Sequence, residues 1–338
     1  MPKEARPPRI QDVAQLAGVS VATVSRVLSN PDIVSETTRA TVRDAIAKTG
    51  YTINFTARNL RQQQVGSVLA LVPNLANPFF SQILGGIAEV LRRQGLSLLV
   101  LDTHGATEQP DLEAIAPYLS RSRSDGVILL EGGLDPALFA RPGCPPLVQA
   151  CEWTDALDAP RVLVDNAAGG RLAAQHLAGL GHRDILHLSG PAQNSLSRSR
   201  RDGFAEALAG LGLSGQVLQG DFSMQSGFAA AASVLAMSPR PTGIFCDSDE
   251  MAVGLIHGLI AAGLRVPQDI SVMGFDDIQL AAYIQPPLTT IRQHRAPLGR
   301  QAAEVLLARM QGKPYEDTTM LPVELCARAS TAAPPPGR

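Results

Sequence analysis

Ile10-Gln-Asp-Val-Ala-Gln-Leu-Ala-Gly-Val-Ser-Val-Ala-Thr-Val-Ser-Arg-Val-Leu-Ser29 reads as two short helices joined by a tight turn. Val13, Ala14 and Ala17 give the first helix an apolar face of small side chains. Gly18 can take the positive φ that the turn needs, because it has no Cβ to clash. Ser20 can cap the second helix, whose apolar side is Val24 and Val27. The outer side of that helix then carries Val21, Ala22, Ser25 and Arg26, which are small or hydrogen-bonding groups with one guanidinium. Such a surface suits a helix lying in a DNA major groove. The same spacing also fits an ordinary helical hairpin with a solvated Arg26.

On the C-terminal side, Asn30-Pro31-Asp32 is a turn, and a third helix follows between Ser35 and Gly50. Ser35 is its N-cap, Val42 meets Ala45 and Ile46 on one face, and Gly50 is its stop. Residues 1–53 thus form a small three-helix head. In 54–65, Asn54 can cap a helix running to Leu60 or Arg61, followed by a polar linker. Isolated helices below ~12–15 residues are marginal in water, so this one is expected to form only against a partner.

From Gly66 the pattern changes to apolar strands alternating with amphipathic helices. The strand runs are Ser67–Val72, Ser97–Asp102, Gly126–Glu131, Leu147–Ala150, Val162–Asp165, Asp184–Ser189, Gly243–Cys246 and Ser271–Phe275. Helices such as Phe79–Arg93, Ala168–Leu180 and Asp249–Ala262 lie between them. Runs that are apolar throughout predict parallel sheets covered on both faces. The length of this region favours two sheets over one. The Pro-rich end, 330–338, is expected to be disordered.

Charge is divided along the chain. Residues 1–65 hold nine Lys/Arg against five acids, and the remainder holds 20 against 26, so a basic head precedes an acidic body. That division fits DNA contact by the head alone. The first residues lack the apolar core of a signal peptide, and no run approaches the ~20 apolar residues of a membrane span. A cytoplasmic protein with no membrane partner is expected. Cys144, Cys151, Cys246 and Cys326 have no metal-ligand spacing and are expected to be reduced and mostly buried.

The motifs together resemble the lactose-repressor family of bacterial transcription regulators. Asp12-Val-Ala, Thr23-Val-Ser-Arg-Val-Leu28, Val34-Ser-x-x-Thr-Arg39 and Gly50-Tyr51 match in the head. In the body, Asn77-Pro-Phe-Phe80, Val164-Asp-Asn166, Gly181-His-Arg183, Arg200-x-x-Gly-Phe204, Gly220-Asp-Phe-Ser223, Gly274-Phe-Asp-Asp277 and Pro286-Pro-Leu-Thr-Thr-Ile291 follow in order. Asn30-Pro-Asp32, Cys151-Glu-Trp153 and Phe245-Cys-x-Ser-Asp249 look closest to a cytidine-responsive member.

The resemblance implies an α/β protein: a helix-turn-helix head, a hinge helix, and a two-lobed, doubly wound core like periplasmic sugar-binding proteins. Lobe 1 would span about 66–164 and 293–322, and lobe 2 about 165–291 and 323–329. It also implies roles for residues. Val21 and Ala22 would face base edges, and Arg26 a guanine or phosphate. Ser20, Thr23, Ser25 and Ser35 would touch the backbone. Asn54, Ala57, Arg58 and Leu60 would belong to the DNA-contacting hinge, with Leu60 wedged into the central base step. Read alone, Leu60 is plain hydrophobic packing. Ile53 stands where a proline is usual, which leaves the hinge onset less preorganised.

For an effector held between the lobes, the implied contacts are Phe79, Phe80, Arg200, Phe222, Ser248, Asp276 and Gln293. Phe79 and Phe222 equally suit core packing. Arg200 and Asp276, expected from different lobes, could bind hydroxyls or simply form a salt bridge. Cys151 and Ser248 replace a frequent aspartate and asparagine, which favours a nucleoside or pentose over a hexose.

Enzyme signatures are lacking: no Walker-type loop, no His-Glu-x-x-His and no Gly-x-Ser-x-Gly. His176, His182 and His187 do not share a helical face, and no metal or cofactor is expected. The expectation is a homodimeric repressor that binds a pseudo-palindromic double-stranded operator. A solute-binding protein or a hexose-responsive regulator is the alternative.

Overall fold

The computed structural model describes residues 6, 8–51, 64–104 and 112–335. They fall into two compact units, 1–63 and 64–338.

Local chemistry at the helix ends builds the first unit. Helix α1 (Ile10–Ala17) starts at Arg9, whose backbone N–H donates to Asp12 Oδ2 at 2.7 Å, and stops at Gly18 with φ 66°. Helix α2 (Val21–Ser29) is capped by Ser20 Oγ, which accepts from Thr23 N at 3.1 Å. Helix α3 (Glu36–Thr49) is capped by Ser35 and ends at Gly50, φ 66°. Val13, Ala14, Val24, Val27, Val42 and Ala45 form its core. This is the small apolar set that the sequence pattern predicts, and it leaves the far side of α2 to solvent.

The second unit holds two six-stranded sheets. The first contains β1 (Ser67–Val72), β2 (Ser97–Asp102), β3 (Gly126–Leu129), β4 (Leu147–Ala150), β5 (Arg161–Val164) and β11 (Thr318–Leu321). Its order is β11-β5-β4-β3-β1-β2, all parallel. The second contains β6 (Ile185–Ser189), β7 (Gly215–Gln219), β8 (Gly243–Cys246), β9 (Ser271–Asp276), β10 (Thr289–Gln293) and β12 (Val323–Cys326). Its order is β12-β10-β9-β8-β6-β7, with only β12 antiparallel.

Helices α4 (Phe79–Arg93), α5 (Leu112–Ile115) and α10 (Arg295–Met310) accompany the first sheet. Helices α6 (Asn166–Gly179), α7 (Ser195–Gly210), α8 (Met224–Ala236) and α9 (Asp249–Ala261) accompany the second. The chain passes between lobes at Asp165, at His294 and at Pro322. Central strands such as β1 and β9 are buried along their whole length, as both-face coverage requires.

Paired helices approach through reciprocal glycines. A Cβ on Gly254 of α9 would strike the Met224 carbonyl oxygen of α8, and one on Gly227 would strike that of Met251. Gly254→Val should therefore destabilise the core by about 3 kcal/mol or more, through forced separation of α8 and α9. Urea unfolding measures this, and an unchanged midpoint would contradict the close approach.

The C-terminal segment corrects one expectation. Ser330 is buried: its Oγ accepts from Thr289 N at 2.8 Å and donates to Val272 O at 2.6 Å. Ala332 N donates to Ser271 Oγ at 3.0 Å, and Thr331 pairs with His176. Residues 330–332, expected to belong to a disordered end, are thus held to the second sheet. Proline removes backbone donors, but Ala332 still offers its N–H to Ser271 Oγ, and the Ser330 carbonyl accepts from Val272 N at 3.0 Å.

Candidate functional site

In the head, Val21, Ala22, Ser25 and Arg26 stand exposed along one side of α2, and Thr23 is half-buried. Ser20 and Ser35 fix the N-terminal ends of α2 and α3, where backbone N–H groups attract phosphate. Asn54, Ala57, Arg58 and Leu60 lie outside the described residues.

In the core, a cavity of about 670 Å³ opens between the lobes. Phe79, Phe80, Arg200, Phe222, Ser248 and Asp276 all line it. Arg200 is 2% exposed, and its Nε donates to Asn166 Oδ1 at 2.9 Å. Its Nη1 donates to the Asp247 carbonyl, its Nη2 lies 4.0 Å from Asp276 Oδ1, and its guanidinium sits 3.7 Å over the Phe275 ring. A planar, forked cation held on four sides presents its remaining N–H groups in one fixed direction.

Beneath it, Asp247 accepts from Ser189 Oγ at 3.1 Å and Gly190 N at 2.8 Å, and pairs with the buried His187 at 2.7 Å. Burial opposes charge on Asp247, but His187, Arg200 and the Gly190 N–H hold its carboxyl below the usual range. The arginine thus rests on a backbone carbonyl that is itself anchored.

Two placements differ from expectation. Arg200 and Asp276 both belong to lobe 2, because α7 flanks the sheet whose strand β9 ends at Asp276. Gln293 does not line the cavity; its Nε2 donates to Asp276 Oδ1 at 2.6 Å. The register explains this, since β10 lies beside β9 with Arg292 opposite Asp276, so Gln293 supports that carboxylate from the side. Adjacent Asp276 and Asp277 have φ 123° and 53°, and their side chains part. Asp277 faces Arg292 and Arg328 at 2.6 Å each. Burial pushes the Asp276 carboxyl up, against the pull of Arg200 and Arg295.

Phe79 and Phe80 are mostly buried and meet edge to face with centroids 5.0 Å apart. They serve as core and as cavity wall at once. Phe222, at φ 70°, is half-buried, and its ring packs so close to Gly190 that no side chain fits there. Ser248 Oγ accepts from Met251 N at 3.2 Å, so it caps α9 at the cavity rim.

The opposite wall was not among the expected contacts. Glu131, 4% exposed, pairs with His104 Nε2 at 2.7 Å and accepts from Thr103 Oγ1. Glu152 accepts from Gly132 N at 3.0 Å. Trp153, the single tryptophan of the chain, lines the cavity beside it. Burial pushes the Glu152 carboxyl up, and nearby Glu131 adds to that, against donors from Gly132 and Asn194. Cys151-Glu152-Trp153 was visible as a motif, but which side chain enters the cavity depends on where β4 ends.

Comparison with known proteins supplies the family. Residues 9–54 match the model of bacterial regulatory proteins of the lacI family, and 174–331 match a periplasmic binding protein-like domain. The chain is 35% identical over 332 residues to the HTH-type transcriptional repressor CytR of Escherichia coli K12, covering 96% of this chain and 97% of that protein. The chain belongs to the lacI family. It is a DNA-binding transcriptional repressor of that family with an effector-binding core, not an enzyme.

Among solved structures, it is similar to the lac repressor dimer bound to operator and the anti-inducer ONPF. That match has a TM-score of 0.82 and 31% identity over 97% of this chain and all of the other. It is also similar to a LacI family transcriptional regulator from Enterococcus faecium with bound ribose. There the TM-score is 0.73 and the identity 31%, covering 79% of this chain and 99% of the other. Among the described residues, no helix is long and apolar enough to cross a membrane.

Proposed function

We propose that two copies of this repressor bind a pseudo-palindromic operator through α2, and that a nucleoside or pentose bound between the lobes controls the affinity. The observation that carries this reading is the cavity lined by Arg200 and Asp276 together with the aromatic side chains Phe79, Phe80, Trp153 and Phe222. Fixed charged groups recognise hydroxyls through charge-assisted hydrogen bonds, and flat apolar walls recognise a ring. Similarity to a ribose-bound regulator supports a pentose, and similarity to CytR supports a nucleoside. Operator binding and dimer formation follow the lac repressor dimer, which is seen bound to operator. Two-fold protein symmetry then requires two-fold sites. With DNA as partner, the protein acts in the cytoplasm.

An effector shifts such a switch only by its differential affinity for the two states. The test pairs a gel shift on the chain's own promoter region with a thermal-shift screen of nucleosides and pentoses, since a ligand of the folded state raises its stability. Arg26→Ala should weaken specific binding by about 1–3 kcal/mol if its guanidinium reads a guanine. A thermal shift with hexoses alone would replace the proposed effector class. An unshifted promoter fragment would remove the operator reading.

A further inference from the structure

The charges around the cleft are unbalanced. Arg200 is committed to Asn166, the Asp247 carbonyl and Asp276, and Asp155 is paired with Arg161 at 2.7 Å. Glu131, Glu152, Asp221 and Glu250 line the cavity with no guanidinium paired to them among the described residues. Against them, besides the committed Arg200, the lining offers His104, which pairs with Glu131 at 2.7 Å, and Arg198, which is exposed and donates to the Gln193 carbonyl. Residues 105–111 lie outside the described set, but they include no lysine or arginine and so bring no cation.

Three helices begin at the cleft, and a helix N-terminus favours anions. Each already has one of its first N–H groups capped by a side chain. Asn77 Oδ1 accepts from Phe79 N, Asn194 Oδ1 from Leu196 N, and Ser248 Oγ from Met251 N. The first turn of α9 also carries Asp249 and Glu250. Glu131 and Glu152 cannot swing aside, because Thr103, His104 and Gly132 fix them.

From this arrangement, and resting on the reading of the cleft as the effector site, we propose that it admits only uncharged or cationic ligands. Glu131 and Glu152 would reject the phosphorylated or carboxylated form of a molecule that otherwise fits. Like charges repel strongly at contact distance in a partly desolvated cavity. Sites that do select anions present forked guanidiniums or free helix N–H groups, and this wall presents neither.

The test is calorimetric titration of the full chain with matched pairs: nucleosides and their 5′-monophosphates, ribose and ribose 5-phosphate, glucose and glucose 6-phosphate. The uncharged member of at least one pair should bind, and its phosphorylated partner should bind about a hundredfold more weakly. The double variant Glu131→Gln, Glu152→Gln keeps the shape and should shrink that gap to below about tenfold. A phosphorylated member that binds as well as its partner would overturn the proposal, as would a panel in which no uncharged member binds. A gap unchanged in the double variant would also overturn it. If only glucose binds and the gap holds, the nucleoside or pentose reading fails and the charge rule stands.

Discussion

Arg200→Ala should lose the response to effector while still binding operator DNA. The substitution removes a side chain that holds the cleft together from below. Asn166 Oδ1 and the Asp247 carbonyl lose their donor, and Asp276 keeps its carboxylate in a buried place with Gln293 as remaining donor. Removing one partner of a buried charge pair costs about 3–5 kcal/mol, because the other charge stays desolvated. The core should therefore melt earlier, while the head, a separate compact unit, keeps its own core.

Arg200→Lys tests geometry apart from charge. It restores one positive charge but not the planar fork that reaches three acceptors, so effector affinity should stay low while much of the stability returns. Thermal unfolding and operator titration with and without ligand read both effects. A variant that responds normally would place the ligand elsewhere in the protein.

What the sequence made legible was chemistry that acts within a few residues. Gly18, Ser20, Ser35 and Gly50 each do locally what their side chains, or the lack of one, permit, and the head's helices end where those residues stand. The buried central strands read as strands because most of their positions are apolar. Three of the four edge strands did not: β7, β11 and β12 are short and partly exposed, with polar residues that a loop would also use. β10 escaped for a different reason. Thr289 and Thr290 look polar, yet both are buried, with Thr290 Oγ1 donating to Asp249 at 2.5 Å.

The cleft divides in the same way. Arg200 and Asp276 stood out because they sit in recognisable motifs. Glu131 and Glu152 did not, because their meeting depends on β3 and β4 ending side by side. That is tertiary placement, which no local pattern carries. The C-terminal end shows the converse case: a proline-rich composition suggested disorder, while one buried serine and its neighbours tie the segment down.

Leu60→Ala should lower operator affinity by about tenfold or more and leave ligand binding in the cleft unchanged. The residue lies outside the described region, so the expectation rests on its sequence setting and on the family. The helix expected from the sequence between Asn54 and Leu60 or Arg61 would be too short to persist alone and would form only when something packs against it. A leucine driven into a base step supplies that contact, and the few kcal/mol lost in unstacking are offset by the protein surface that the bent duplex then meets. Alanine is too small to hold the step open, so both the wedge and the helix's folding partner are lost together. Operator titration and ligand titration on the same variant separate this from a general loss of folding. Ile53→Pro probes the same element from the other side: fixing φ before the cap reduces the freedom lost on binding, so operator affinity should rise. If Leu60→Ala leaves operator affinity untouched, the hinge does not act through a wedge, and control must then pass from the cleft to the head by another contact.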